Sequence, residues 1–415
     1  VGKTVAEAGL YYSANNGLTV RGGVVTINDT ESPAFGYTVI AHGKGMGFDV
    51  YTPAGDLVGT YHSGYSGFNS GNQSSPFRGA EREGLAVFAD WSDSGAGYWV
   101  IDPLNPTAEP YNLLAAPGAT RVSSGLWTTA EGVVTAGGTS CVAFQGTGDD
   151  TVMYGFEEDR PDASNVVVAW PIGSAQYLTV APKMIFSGAA PQSDIPTNQG
   201  GVNTKSRLAN TNVDIIPVEN GFFATQVRGA GNNDASTPSF IYVSNEGKEL
   251  FNSGDEGEYG LTETLNSSVS GFAINRARDI VAVGQNSCIT VYNVAWDEEG
   301  VPSFTKLYDI PTATIGWSQM KFDYAGNLHV FERETNGYHI YSLVAESPRV
   351  AVPAKKEMTI KSSNDGVESI VTDAADSDAE VIYYNLQGVR VAADNMVPGV
   401  YVKVQGDKAT KIVVK

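Results

Sequence analysis

Residues 62–83, HSGYSGFNSGNQSSPFRGAERE, carry the side chains that sugar-binding surfaces use. Within this Gly- and Ser-rich segment the candidate binding residues are Tyr65, Phe68, Asn72 and Arg78. Aromatic faces stack on sugar rings, and amide or guanidinium groups hydrogen-bond to hydroxyls. The pattern therefore predicts non-covalent ligand binding. The alternative is a self-packed loop whose aromatic side chains cover neighbouring strands.

A second candidate follows closely, in ADWSDSGAGYW at 89–99. It places Trp91 between two carboxylates, Asp90 and Asp93. An exposed indole beside carboxylates suits a carbohydrate site. Packing of Trp91 against neighbouring strands is the alternative interpretation.

A third polar segment is RGAGNNDASTPS at 228–239, with Asn232, Asn233 and Asp234 in succession. These oxygen-bearing side chains are candidates for a ligand or for calcium. The D-x-D-x-D-G spacing of a calcium loop is absent, however, and a solvated turn is the alternative.

Sequence motifs for catalysis are missing. The four histidines are scattered, and neither cysteine belongs to a CxxC pair. There is no G-x-S-x-G, P-loop or dinucleotide fingerprint. We therefore predict no catalytic residue, no metal and no cofactor, and the sequence favours a binding protein over an enzyme.

The composition predicts an all-β protein. The 415 residues include 47 Gly, 20 Tyr and 16 Phe, a combination of turn formers and β-formers. The formal net charge of −20 repels phosphate backbones and anionic lipid, so no nucleic-acid or lipid partner is expected. No apolar run approaches the ~18 residues of a membrane-spanning helix.

An internal repeat indicates how the strands are organised. GGTSCVAF at 137–144 returns as GQNSCITV at 284–291, which is 147 residues later. Related strand-like segments recur at intervals of 51, 43, 99, 48 and 51 residues, counted from Phe48, Trp99, Val142, Ile241, Ile289 and Ile340. Counting the long interval as two gives a unit of about 49 residues, which is typical of four-stranded propeller blades. The spacing predicts a seven-bladed β-propeller, with six blades as the alternative.

Several expectations follow from seven blades. A blade without an obvious repeat signal is placed at about 151–188, and LTVRGGVVTI at 18–27 is expected to complete the last blade. Cys141 and Cys288 are expected on equivalent strands three blades apart, too far from each other for a disulfide. Trp127 and Trp317 are expected near the starts of inner strands, where they either reach the channel rim or pack between blades.

The C-terminal residues differ in composition from the rest of the chain. The segments YNLQGVRV (384–391), PGVYVKV (398–404) and the ending ATKIVVK predict two β-hairpins. They resemble the C-terminal sorting module of Por-type (type nine) secreted proteins from Bacteroidetes, over roughly the last 60 residues. The preceding part resembles uncharacterised secreted propellers of the same bacteria, a family without a catalytic motif.

The resemblance implies an extracytoplasmic protein: secreted, on the cell surface or periplasmic. It also implies a signal peptide removed before residue 1 and export machinery as a partner of the module. The predicted domains are a propeller at 1–345, a linker at 346–358 and a small sandwich-like β module at 359–415.

The sequence thus predicts a binding or scaffold propeller with a glycan or a peptide or protein ligand at its loop face. The alternative is a propeller glycoside hydrolase or polysaccharide lyase, which needs two positioned carboxylates at the channel face.

Overall fold

In the computed structural model, the chain divides into two compact units, Val1–Ser362 and Ser363–Lys415. The structure describes residues 23–41, 47–62, 78–90, 97–123, 126–158, 165–187, 208, 213–225, 238–255, 260–265, 271–275, 279–285, 287–312, 319–332, 337–343, 355–356, 381–385, 390–393, 399–405 and 408–414. This described part contains no helix with the length and apolar character that spanning a bilayer requires. The predicted linker at 346–358 lies outside it apart from Lys355–Lys356, so the predicted domain boundary stays a prediction.

The described residues of the first unit form six four-stranded antiparallel sheets and one three-stranded sheet. Sheet 1 comprises β1 (Val24–Thr26), β2 (Thr38–Ala41), β3 (Gly47–Tyr51) and β4 (Leu57–His62). Sheet 2 comprises β5 (Arg78–Arg82), β6 (Leu85–Asp90), β7 (Gly97–Ile101) and β8 (Tyr111–Asn112). The three-stranded sheet comprises β9 (Thr120–Ser123), β10 (Leu126–Thr129) and β11 (Gly132–Ala136).

The other four-stranded sheets follow in chain order. Sheet 3 comprises β12 (Gly138–Gln145), β13 (Val152–Glu158), β14 (Val166–Trp170) and β15 (Lys183–Ser187), with a 3-10 turn at Gly148–Asp150. Sheet 4 comprises β16 (Ile215–Val218), β17 (Gly221–Thr225), β18 (Phe240–Ser244) and β19 (Glu249–Asn252). Sheet 5 comprises β20 (Gly271–Asn275), β21 (Ile280–Gly284), β22 (Cys288–Trp296) and β23 (Pro302–Pro311). Sheet 6 comprises β24 (Lys321–Phe322), β25 (Asn327–Glu332), β26 (Gly337–Ser342) and β27 (Lys355–Lys356).

The six sheets are arranged in a closed ring, with the first strand of each sheet innermost. In every one the strands pair in sequence order. First strands contact one another in the pairs β1–β5, β5–β12, β12–β16, β20–β24 and β1–β24. Sheets 4 and 5 meet through Phe223 and Phe272, whose ring centroids are 5.0 Å apart. One cavity is lined by residues of all six first strands, which therefore surround a common axis. The fold is an all-β propeller.

Burial on both faces explains why the strands are continuous apolar runs. Each sheet packs against two neighbours, so successive side chains of a middle strand are buried whichever way they point. All five residues of β14 (VVVAW) and of β21 (IVAVG) are buried. Among the described residues, five apolar clusters join sheets 1–2, 2–3, 3–4, 4–5 and 5–6.

The described residues do not confirm seven blades; their six four-stranded sheets match the alternative. Five of the six residues used to measure the repeat lie in third strands, but Val142 lies in β12, a first strand. The third strand of sheet 3 is β14. β14 does not fit the spacing of about 49 residues, because the three-stranded sheet precedes sheet 3 in the chain and a long connection follows sheet 3. The segment at 151–188, predicted to form a whole blade, contains only β13, β14 and β15. The first strand of this sheet, β12, precedes the segment.

Two further expectations were wrong. VVTAGGTSCVAF spans β11 and β12, which belong to different sheets, whereas IVAVGQNSCITV spans β21 and β22 of one sheet. Cys141 therefore lies on a first strand and Cys288 on a third strand. Neither cysteine forms a disulfide in the structure. The described part of LTVRGGVVTI, residues 23–27, does not complete the last blade, because Val24–Thr26 is the first strand of sheet 1 and β27 is the fourth strand of sheet 6.

The second unit contains one described sheet of four antiparallel strands. These are β28 (Val381–Asn385), β29 (Arg390–Val391), β30 (Gly399–Gln405) and β31 (Lys408–Val414), in the order β29-β28-β30-β31. Strands β30 and β31 pair over seven residues as a hairpin.

Candidate functional site

The candidate site lies where the first strands begin. In a sheet of sequentially paired antiparallel strands, the first strand starts at the same end at which the second strand finishes and the third begins. We call this the loop end of the ring. Arg78 is the first residue of β5, and Asp90 is the last residue of β6, so both lie at the loop end.

Gln319, just before β24, connects four sheets at this end. Its side-chain oxygen accepts hydrogen bonds from the backbone N–H groups of Val24 (3.2 Å) and Gly79 (2.9 Å). Its side-chain nitrogen donates to the Gly79 carbonyl at 2.9 Å and to the carboxylate of Asp214 at 3.1 and 3.2 Å. Sheets 2 and 4 are each two places from sheet 6 in the ring. A side chain bonded to both must therefore lie at the ring axis.

Asp214 is held by the strand that follows it. It directly precedes β16 and is completely buried. Its backbone N–H donates to the Thr225 hydroxyl at 3.1 Å, and its carbonyl accepts from the Thr225 N–H at 3.0 Å. This pairing with the end of β17 fixes the carboxylate next to Gln319.

Arg78 is the unusual member of this group. Its side chain is completely buried, and its Nε, Nη1 and Nη2 atoms have no hydrogen-bond partner among the described residues. Burial lowers the pKa of Arg78, while the Asp214 carboxylate and the Cys141 thiol act in the opposite direction. A guanidinium stays protonated in proteins, so the loop end contains a buried cation whose donors are unused.

Tyr98, on β7, belongs to the same neighbourhood. Its hydroxyl is buried and has no hydrogen-bond partner in the described part of the chain. Burial, and after it the Glu157 carboxylate and the Cys141 thiol, raise the pKa of Tyr98 well above its usual value. The hydroxyl therefore remains protonated and can donate. Arg78 and Tyr98 both pair with Ala89 in the sheet register, so the two donors lie on the same face of sheet 2.

A cavity of about 260 Å³ occupies the axis beyond Gln319, toward the other end of the first strands. Polar and apolar atoms contribute about equally to its walls, and its charged lining residues are Glu81 and Lys321. The Glu81 carboxylate accepts the backbone N–H groups of Asn28 (2.7 Å) and Asp29 (2.8 Å). Burial raises the pKa of Glu81, and these two hydrogen bonds only partly oppose the shift.

The structure places three of the predicted binding residues. Arg78 is at the loop end, but it is buried in the ring rather than exposed on a binding loop. Asp90 is 2% exposed, and its carbonyl accepts the Thr139 hydroxyl at 2.7 Å, so it helps join sheets 2 and 3. Trp127 is in β10 of the three-stranded sheet, not on an innermost strand, and packs against the core between sheets 2 and 3. This packing is what the alternative interpretation expects, and a role of Trp127 in ligand binding stays a prediction.

The remaining predicted residues lie outside the described residues: Tyr65, Phe68, Asn72, Trp91, Asp93, Asn232, Asn233, Asp234 and Trp317. No group of three or more His, Cys, Asp or Glu side chains suited to a metal ion occurs in the part of the chain that the structure describes.

Sequence reasoning missed Asp214, Gln319 and Tyr98. Asp214 and Gln319 share one signal: each is a polar residue within two positions of the start of a short apolar strand, in VDIIPV and SQMKF. Nothing in the sequence shows, however, that these two strand starts meet in the fold. Tyr98 carries no comparable signal, because buried tyrosines are common in such strands.

Comparisons with known proteins identify no family. No protein-family model matches the chain, and no curated protein does. Several solved structures are similar to the chain. The WD40 β-propeller domain of Doa1 is 14% identical, with 81% of this chain and 96% of that chain covered and a TM-score of 0.41. Sqt1 from Saccharomyces cerevisiae is 11% identical, with 96% of each chain covered and a TM-score of 0.40.

A PQQ-bound aldose sugar dehydrogenase from Streptomyces coelicolor is 13% identical, with 66% of this chain and 78% of that chain covered and a TM-score of 0.37. At these identities and TM-scores the similarities concern the fold alone and carry no argument about a ligand or an activity.

Proposed function

We propose that this chain is an extracytoplasmic binding or scaffold propeller whose ligand is a glycan or a peptide. The observation that carries the binding function is the axial cavity, to which all six first strands contribute. A cavity built by every sheet of a ring is a rigid, preformed receptor, because no single sheet can move without disturbing its two neighbours.

The chemistry of the cavity suits a small mixed-character group. At about 260 Å³ it is close to the lower limit of small-molecule sites, which matches one side chain or one sugar unit. Apolar residues such as Ala80, Ala143 and Ile216 are among those that line it and supply apolar contact, and Lys321 and Glu81 supply charged groups for orientation. The lining contains a single carboxylate, Glu81, whereas glycoside hydrolysis uses two. No observation therefore favours the hydrolase or lyase as a second function.

Binding is tested with the full chain on a glycan array and a short-peptide array. Lys321→Met should lose the bound compound, and Lys183→Met, a change on the exposed part of β15, should retain it. The glycan site predicted at 62–83 and 89–99 is tested in parallel with Tyr65→Ala and Trp91→Ala. Absence of binding on both arrays, or binding that none of the three site variants changes, refutes the proposal.

The location and the role of the second unit are proposed on sequence resemblance alone. We expect residues 363–415 to be recognised by export machinery. Deleting them should retain the propeller inside the cells of the native bacterium, as fractionation would show. Unchanged secretion of the truncated chain would contradict this role.

A further inference from the structure

We propose that Arg78 anchors a second binding site, at the loop end of the ring axis, for the carboxylate of a slender ligand. The site is separate from the axial cavity, which lies beyond Gln319, and the inference does not depend on the function proposed for that cavity.

The first argument is the unused donor capacity of Arg78. A guanidinium carries five N–H donors, and none of its three nitrogens has a partner among the described residues. An unpaired buried cation is strongly unfavourable, and buried charges in proteins are nearly always paired. Asp214 is the nearby anion, yet its carboxylate accepts the Gln319 amide and no hydrogen bond from Arg78. Among the described residues, this site therefore lacks a hydrogen-bond acceptor for the Arg78 guanidinium.

The second argument is a second unused donor in the same place. The Tyr98 hydroxyl is buried, protonated and without a partner in the described part of the chain. Arg78 and Tyr98 both pair with Ala89 in the register of sheet 2, so their side chains lie on the same face of this sheet, two strands apart, and a ligand on that face can accept from both donors. A guanidinium fork beside one hydroxyl is a donor set that matches the two oxygens of a carboxylate.

Charge selects a carboxylate over phosphate. Asp214 and Glu157 already place negative charge around the donors, and the whole chain carries −20. A carboxylate adds one negative charge beside these two acids and a phosphate dianion adds two, so repulsion disfavours phosphate more strongly. Complete burial of Arg78 also restricts the ligand to a slender group, such as an acyclic organic acid or the end of an extended acidic chain.

The test is the thermal stability of the full chain as sodium chloride is replaced by sodium acetate, sodium succinate, sodium glucuronate or sodium phosphate at constant ionic strength. At about ten times Kd, acetate or succinate should raise the Tm by about 2 °C over chloride. Phosphate and the bulkier glucuronate should have no such effect.

Variants connect this effect to the donors. Arg78→Met should abolish the Tm increase, and without ligand its Tm should equal or exceed that of the unchanged chain, because an unpaired buried charge is removed. Arg78→Lys and Tyr98→Phe should each weaken acetate or succinate binding at least about tenfold in a titration. Arg390→Met, at an exposed arginine of the second unit, should change nothing.

Three results overturn the proposal. The first is no more stabilisation by acetate or succinate than by chloride. The second is an equal response to phosphate or glucuronate, which would remove the carboxylate or the size selectivity. The third is an unchanged carboxylate response in Arg78→Met or, if that variant does not fold, an unchanged affinity in Tyr98→Phe.

Discussion

The Gln319 amide should be one of the most sensitive positions for stability in the propeller. Gln319→Leu keeps the approximate size of the side chain and removes every polar atom. The N–H groups of Val24 and Gly79 then lose their acceptor, and Asp214 loses a donor at 3.1–3.2 Å. Gln319 is completely buried, so water cannot replace these bonds without opening the ring.

The magnitude follows from the groups left unpaired. A buried N–H without a partner costs about 1–3 kcal/mol, and a buried carboxylate that loses a donor costs at least as much. A leucine recovers about 1–2 kcal/mol through its apolar surface. The net loss is about 4 kcal/mol in the free energy of unfolding. For a unit of this size that lowers the Tm by about 5 °C.

Scanning calorimetry of the full chain measures this loss, with Gln145→Leu as the matched control. Gln145 also joins two sheets, donating to the Val218 carbonyl at 2.7 Å, but it is only partly buried. Water can replace its bonds, so we expect a loss of about 1 kcal/mol. Equal Tm decreases in the two variants, or a Gln319→Leu decrease under about 1 °C, would refute the assignment of Gln319 to a buried axial position.

Three other outcomes follow from the described geometry. Gly84→Ala should lower the free energy of unfolding by about 2–3 kcal/mol, because φ is +83° and the new Cβ would overlap the Ser32 hydroxyl. Gly300→Ala, at φ +76° with open space around the new Cβ, should lower it by about 1 kcal/mol. Equal losses of the two variants in denaturant unfolding would argue against the overlap. At Asp323 burial tends to raise the carboxyl pKa, but hydrogen bonds from His329 and Asn327 outweigh burial and lower it. Ionised Asp323 therefore stabilises the fold at pH values above its pKa in the unfolded chain. This stabilisation is lost as the pH falls through its pKa in the folded chain. Asp323→Asn should therefore lower the Tm at pH 7 with a difference that shrinks below about pH 4, and a pH-independent difference would contradict this. Burial raises the pKa of the half-buried Cys288 and Cys141 is fully buried, so Ellman's reagent should modify Cys288 slowly and Cys141 only after unfolding; rapid reaction of both thiols in the native chain would contradict their placement.

The fold class was predictable because its cause is local. A sheet packed on both faces needs middle strands such as VVVAW and IVAVG, and short strands with frequent glycines leave few other architectures. The number of sheets depends on information that spacing lacks. The three-stranded sheet at β9–β11 adds strand-like sequence without adding a sheet to the ring. It puts Val142, on a first strand, where the spacing expects a third strand, and the interval from Val142 to Ile241 then looks double. Spacing measures chain length between strands, not which strands pair.

The site was less predictable because its parts meet only at the axis. Arg78 was identified from its side-chain type, but as part of an exposed sugar-binding loop. Whether it is buried depends on sheets 3 and 4, whose residues lie far away in the sequence. Gln319 and Asp214 are 105 positions apart, and only closure of the ring brings them together. A single sequence contains no periodic signal for such a contact.

The contact that closes the ring, between sheets 6 and 1, combines hydrogen bonds with one aromatic pair. Among the described residues, apolar clusters join each consecutive pair from sheet 1 to sheet 6, whereas sheets 6 and 1 meet through hydrogen bonds and through Phe35 and Tyr324, whose ring centroids are 4.5 Å apart. The Thr26 hydroxyl and the Asn28 amide donate to the Phe322 carbonyl at 2.9 and 3.1 Å, and Val24 donates to Gln319.

Hydrogen bonds stabilise less than apolar burial of equal area, but they require one register. An open ring with two apolar edges would also bind other copies of itself, as exposed strand edges do. Hydrogen bonds between sheets 6 and 1 favour pairing of these two sheets in one register. They disfavour shifted registers and association of the open edge with another copy of the chain. This reasoning explains why Gln319, which serves the closing contact and the axis together, should tolerate substitution less than most core positions.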